Sequence, residues 1–254
     1  MGYDHSRIKS NARLFYKNNM GNSIVSILIF FGMAMAIGIA LRIFITIVSF
    51  IFVLFMRAAA YSAAGTTAVS LMLSIVSIAA GLLMAAAEFP LIIGLFGWYR
   101  SSIYRQTTLG EILSPYKPAH LWSNIGTGVL ISVFTYLWML LFIIPGIIKS
   151  LSYSQALYIK GENPNIPASR AIELSKIMMD GHKWDIFYLN LSFIGWNILS
   201  SFTFGILGIV YVFPYYYAAR AFAYEEIKAD AAARGVIDIR EINPNFYSGE
   251  VYPQ

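Results

Sequence analysis

The sequence predicts an all-α fold: a polytopic membrane helical bundle of six transmembrane helices arranged as three hairpins, with an amphipathic helix on the cytoplasmic face. Three observations lead there. Of 254 residues 58% are apolar and 12% charged, with a mean hydropathy of +0.63, well outside soluble usage. Several apolar runs approach or exceed the roughly 20 residues that cross a bilayer. The cations behind the net charge of +5 sit in short clusters beside those runs, a pattern of membrane orientation and not of a nucleic-acid-binding face.

The chain opens with MGYDHSRIKSNARLFYKNNMGN, a basic amphipathic leader over 1–22 with Ile8, Ala12 and Phe15 at helical spacing. Ala34 and Ala36 resemble a cleavage site, but the apolar run continues past them, so a retained helix is expected in place of a signal peptide. The spans are expected at about 23–41, 70–98, 121–143, 145–160, 185–202 and 206–226, within a transmembrane domain over 23–228 and ahead of a cytoplasmic tail, 229–254. The stretch from Arg42 to Arg57 is too short to cross comfortably and reads as an extension of the first helix, a re-entrant segment or an interfacial one.

A pattern recurs three times: an apolar run reaches a proline and leads into residues mixing aromatics with cations, EFPLIIGLFGWYRSSIYR, IIPGIIKSLSYSQALYIK and VFPYYYAARAFAYEEIK. It suggests three hairpins whose second members carry Pro90, Pro145 and Pro214. Turns are expected at Pro145-Gly146 and between Thr203 and Gly208. Proline suits the first helical turn, which explains Pro145. Pro90 and Pro214 lie deeper and should kink their helices unless neighbours satisfy the freed carbonyls.

With a cytoplasmic N-terminus, segments 1–22, 99–120, 161–184 and 227–254 fall inside and collect most of the lysines and arginines, as the positive-inside rule requires. Both termini are then cytoplasmic. Within the third of these segments, Ser169, Glu173, Lys176 and Asp180 mark one face of a surface helix at about 167–180, and Gly181 is its natural stop.

The segments IIPGIIKSLSY, AIELSKIMMDGHKWDIFYLNLSFIGW and VFPYYYAARAFAYEEI closely resemble the bacterial integral-membrane family designated domain of unknown function 975. More distantly the chain is similar to the membrane domain of glycerophosphodiester phosphodiesterases. The resemblance runs from about residue 74 to 227 and includes the leader ARLFYKNN. It implies a polytopic fold in the bacterial cytoplasmic (plasma) membrane with no established reaction.

Few residues suggest chemistry. There is no cysteine, and the three histidines are scattered, so neither a thiolate nor a metal centre is expected, and no cofactor. Walker, HExxH and GxSxG motifs are missing from the sequence. Glu88 is the sharpest candidate, because it shares a helix face with Ser70, Ser74, Ser77, Gly81 and Ala85 near mid-membrane. A carboxylate there is costly unless protonated or paired. Lys149 and Arg220 are the candidate partners, and Tyr216 shares the face of Arg220. His182, Trp184 and Asp185 form an interfacial group, and Trp98, Trp122 and Trp184, with Tyr99 and Tyr104, read as an aromatic belt.

The expected function is therefore a membrane protein without evident catalytic machinery, a small transporter-like bundle or a scaffold. Membrane lipids and a protein at the cytoplasmic face are its expected partners, nucleic acid is not. An intramembrane lipid-modifying enzyme and an immunity protein binding a membrane-active peptide are the alternatives.

Overall fold

A computed structural model describes residues 3–59 and 63–244, all helix, turn or connection, with no strand among the described residues. Two compact units divide the chain, one formed by 31–89 and the other by the residues before and after it. Among the described residues three helices are long and apolar enough to cross a membrane, within Met20–Leu54, Ser70–Tyr104 and Pro118–Leu141.

The leader forms α1 (His5–Asn18), capped by Asp4, whose carboxylate accepts from the backbone N–H groups of Ser6 and Arg7. Ile8, Ala12, Phe15 and Tyr16 make one buried face, which packs on α10 (Phe213–Ala233). The leader is thus a structural helix docked against protein.

Helices α2 (Met20–Ala59) and α3 (Ala63–Tyr104) have 40 and 42 residues, about 60 Å each at helical rise. The Arg42–Arg57 stretch continues α2 without a break, so of the three readings the helix extension describes its backbone. The side chain of Arg57 lies outside the described residues. In the 31–89 unit, Gly38, Thr46 and Ser49 of α2 face Ser77, Ala80 and Gly81 of α3 across a shallow cleft. A Cβ on Gly38 would lie 2.9 Å from the Met84 methyl group, so small residues set the approach of these helices.

In the second unit, α4 (Pro118–Leu141) and α5 (Ile143–Tyr153) form a hairpin through the extended residue Phe142. Pro145 is the third residue of α5, where a missing N–H costs nothing. Gly146 packs so closely that a Cβ would lie 2.8 Å from Met139 Cα. The expected span 145–160 is not one helix: α5 ends and α6 (Ala156–Glu162) begins after a turn at Ser154-Gln155. The cause is a hydroxyl inserted into the ladder. Ser175 of α7 (Ala168–Met178) donates to the Ser152 carbonyl at 2.8 Å and accepts from the Gln155 N–H at 3.1 Å. The same α7 buries Ala171, Ile172, Leu174, Ser175 and Met178, and Gly181 follows it at φ 89°.

The expected span 185–202 is likewise divided, into α8 (Lys183–Leu191) and α9 (Ile194–Phe202). A turn follows at Thr203–Gly205, with Phe204 and Gly205 at positive φ. The last expected span, 206–226, consists of a π-turn at Gly208–Val212 leading into α10. Residues 229–233 of the expected tail belong to α10. Gly235 ends that helix at φ 69°, with Val236 N–H bonding back to Ala231 O at 3.1 Å. A short α11 (Ile239–Ile242) follows, and 245–254 lie outside the described residues. Both hairpin tips are apolar and bare: Phe142, Ile143 and Ile144 are over 70% exposed, and Phe204 98%. Surface of that kind is stable only against lipid or another protein.

Pro214 enters α10 without the expected orphan. A residue with an N–H there would bond the Val210 carbonyl four positions back. Instead the Tyr16 hydroxyl donates to Val210 O at 2.6 Å, a bond that also ties α1 to the start of α10. Replacing Tyr16→Phe should lower unfolding stability in detergent by about 1–2 kcal/mol with unchanged helix content by circular dichroism. An unchanged stability would show that another group satisfies Val210.

Candidate functional site

Glycine contacts bring the charged ends of the second unit together. A Cβ on Gly161 of α6 would lie 3.1 Å from Gly97 Cα of α3, and a Cβ on Gly94 would collide with the Ile112 carbonyl. With the backbones this close, Arg100, one turn beyond Gly97, meets Glu162, the neighbour of Gly161. Arg100 Nη2 lies 2.8 Å from Glu162 Oε1, and its Nε 2.7 Å from Glu225 Oε1. Lys228 Nζ closes the group, 3.0 Å from Glu162 Oε1 and 2.9 Å from Glu225 Oε2.

Two cations thus alternate with two carboxylates in a closed ring. The Glu162, Glu225 and Lys228 side chains are at most 4% exposed, and Arg100 13%. The Tyr104 hydroxyl donates to Glu225 and the Tyr224 hydroxyl to Glu162, both at 2.7 Å. Buried charges are tolerated when paired and hydrogen-bonded, and here each carboxylate meets both cations and a phenol.

Beside the ring lies a polar cavity of about 340 Å³, lined in part by Trp98, Arg100, Arg105, Glu111, Lys160 and Glu162. Arg105 forks onto Glu111 at 3.0 and 2.6 Å, and that hydrogen bonding holds the Glu111 carboxyl below its ordinary range. Lys160 is fully buried and donates to Ser123 Oγ, Pro164 O and Ile166 O at 2.8, 2.7 and 2.9 Å.

A second cluster joins the N-terminal segment to α8 and α10. His182 sets Nδ1 2.9 Å from Asp185 Oδ2 and Nε2 3.0 Å from Asp230 Oδ2. Arg234 Nε reaches the same Asp230 oxygen at 2.7 Å, and His5 lies 3.7 Å from Asp185. Of the expected interfacial group, His182 and Asp185 are in contact, and Asp230, Arg234 and His5 join them. Trp184 points outward, 78% exposed, as does Trp122, whereas Trp98 and Tyr99 are buried core residues and not part of a belt.

Arg220 and Tyr216 converge on the side-chain oxygen of Asn190, at 3.4 and 3.0 Å, a partner with no signal in the sequence. Lys149 lies over the Trp138 ring, 4.8 Å from its centre. Glu88 is half-buried and has no hydrogen bond or ion pair among the described residues. No group of three or more metal-ligating side chains occurs among the described residues.

The ring was the feature hardest to foresee. Arg100 and Lys228 read as orientation signals, and the sequence singles out neither Glu162 nor Glu225. The available signal was the threefold pattern: the ring charges all lie 10 to 17 residues beyond its prolines.

The model of a family described as "Protein of unknown function (DUF975)" matches residues 120–231. Over this segment the chain is similar to that family. No curated protein and no solved structure matches the chain. The more distant resemblance to glycerophosphodiester phosphodiesterases therefore has no support from these comparisons. The DUF975 segment contains Lys160, Glu162, Glu225 and Lys228 but not Arg100, so the ring joins it to the end of α3.

The second cluster makes stability depend on pH. The hydrogen bond from His182, reinforced by the charge of Arg234, holds the Asp230 carboxyl below its ordinary 3.8. A carboxyl lowered in the folded state contributes stability above that ordinary value and loses it as pH falls through the lower folded value. The unfolding midpoint of wild type should therefore drop more steeply below about pH 4 than that of Asp230→Asn. Parallel profiles would remove Asp230 as a source of acid sensitivity.

Proposed function

We propose that this chain is a non-catalytic multi-pass membrane scaffold, with six crossing segments in three hairpins and both termini in the cytoplasm of a bacterial cell. The hairpins are α2 with α3, α4 with the broken α5–α6, and the broken α8–α9 with α10. Interruptions such as those at Ser154 and Ser192 are compatible with crossing where side chains satisfy the freed backbone groups. The surface presented by α7, with Ser169, Glu173, Lys176 and Asp180, is the face offered to a protein partner.

The observation that carries this reading is the closed ring. Its ionisable groups are fully committed to one another, which suits a rigid frame better than a moving carrier. A second reading, a small proton-coupled transporter, rests on Glu88 alone, a half-buried carboxylate in an apolar helix with no partner among the described residues.

Two measurements separate these readings. A cytoplasm-active reporter fused after Gln254 should be active, and activity of an export-dependent reporter there would refute the six-span topology. In proteoliposomes with an internal pH dye, wild type and Glu88→Gln should show the same proton leak. A flux present in wild type and abolished in folded Glu88→Gln would establish the transporter.

A further inference from the structure

Lys160 poses a charge problem that the rest of the second unit does not resolve. Three oxygens lie within 2.9 Å of its nitrogen, enough acceptors for all three N–H groups of an ammonium. All three acceptors are uncharged. The carboxylates nearby are already balanced: Glu162 and Glu225 by Arg100 and Lys228, and Glu111 by Arg105. Four cations therefore stand against three carboxylates, and the excess positive charge belongs to a fully buried group.

Two residues that line the cavity beside it carry uncommitted donors. Trp98 lines this space and is 2% exposed, yet its indole Nε1 has no hydrogen-bond partner. Burying such a donor unpaired is costly. Arg105, also in the lining and 57% exposed, spends two nitrogens on Glu111 and keeps further N–H groups free. Gly94 and Gly97 complete one wall without side chains. The volume, about 340 Å³, is at the small end of small-molecule sites.

We propose that this cavity is a binding site for a phosphate oxyanion. The Trp98 indole and Arg105 donate hydrogen bonds to the oxyanion, and Lys160 supplies the compensating positive field. The site lies at the end of the long apolar helix α3, which on the topology proposed above is the level of a bilayer's phosphate layer, so the group belongs either to an anionic lipid headgroup or to a free phosphate. Phosphate favours such a site because its several oxygens engage donors from different directions.

Full-length protein in detergent, titrated with inorganic phosphate against chloride at constant ionic strength, tests the free source by the rise in unfolding midpoint. Nanodiscs of phosphatidylcholine with and without phosphatidylglycerol test the lipid source by the same readout. A rise with either probe is expected, and which probe gives it identifies the source. No rise with either overturns the proposal. Arg105→Gln, a largely exposed change, should weaken binding about tenfold or more, and Trp98→Phe should weaken it as well. Glu111→Gln frees Arg105 from its carboxylate and should tighten it, a gain that a purely structural role does not produce. A rise that survives Arg105→Gln and is indifferent to Glu111→Gln belongs to another site and overturns the assignment.

Discussion

Four charges withdrawn from water hold the second unit together. Removing an ion from water costs several kcal/mol, and its partner repays that cost only in good geometry with the remaining valences filled. Arg100, Glu162, Glu225 and Lys228 meet that condition as a set, with Tyr104 and Tyr224 filling carboxylate positions. The ring joins the ends of α3 and α6 to the interior of α10, three helices distant in sequence. Its strict geometry fixes their mutual placement more tightly than apolar packing alone, which tolerates sliding.

The ring depends on backbone devices that are not themselves charged. Gly97 and Gly161 let α3 and α6 approach until their backbones touch. Ser175 opens the ladder between α5 and α6, ending one helix and starting another so that Glu162 arrives at the ring. Tyr16 takes up the carbonyl left by Pro214 and ties the leader to α10, the helix that carries Glu225 and Lys228. Each device lets the backbone bend or approach closely while its polar groups stay bonded.

The apolar helices, the turn before Pro145, the turn after Phe202, the buried face of α7 and its stop at Gly181 were legible from sequence, because hydropathy, periodicity and turn chemistry are local signals. The divided helices were not. A break caused by a hydroxyl from another helix, Ser175 against Gln155, has no trace in the segment it interrupts. The ring was obscure for a related reason: in YIKGE and YEEIK each acid stands near a lysine, and of Glu225's two cations only Lys228 is local, while Arg100 is 125 residues away and Glu162 finds Lys228 66 residues on. The pairing of His182 with Asp185 could be read because they are three apart, but Asp230, 48 residues on, could not.

A double-mutant cycle on Glu162→Gln and Lys228→Gln, read as denaturant-induced unfolding in detergent, tests the ring most directly. Each single change leaves one buried charge uncompensated and should cost about 3–5 kcal/mol. The double change removes one charge of each sign and leaves the Arg100–Glu225 pair intact. It should therefore cost less than the sum of the singles by at least about 1 kcal/mol. Small, strictly additive losses would contradict the ring as the interaction on which the second unit depends.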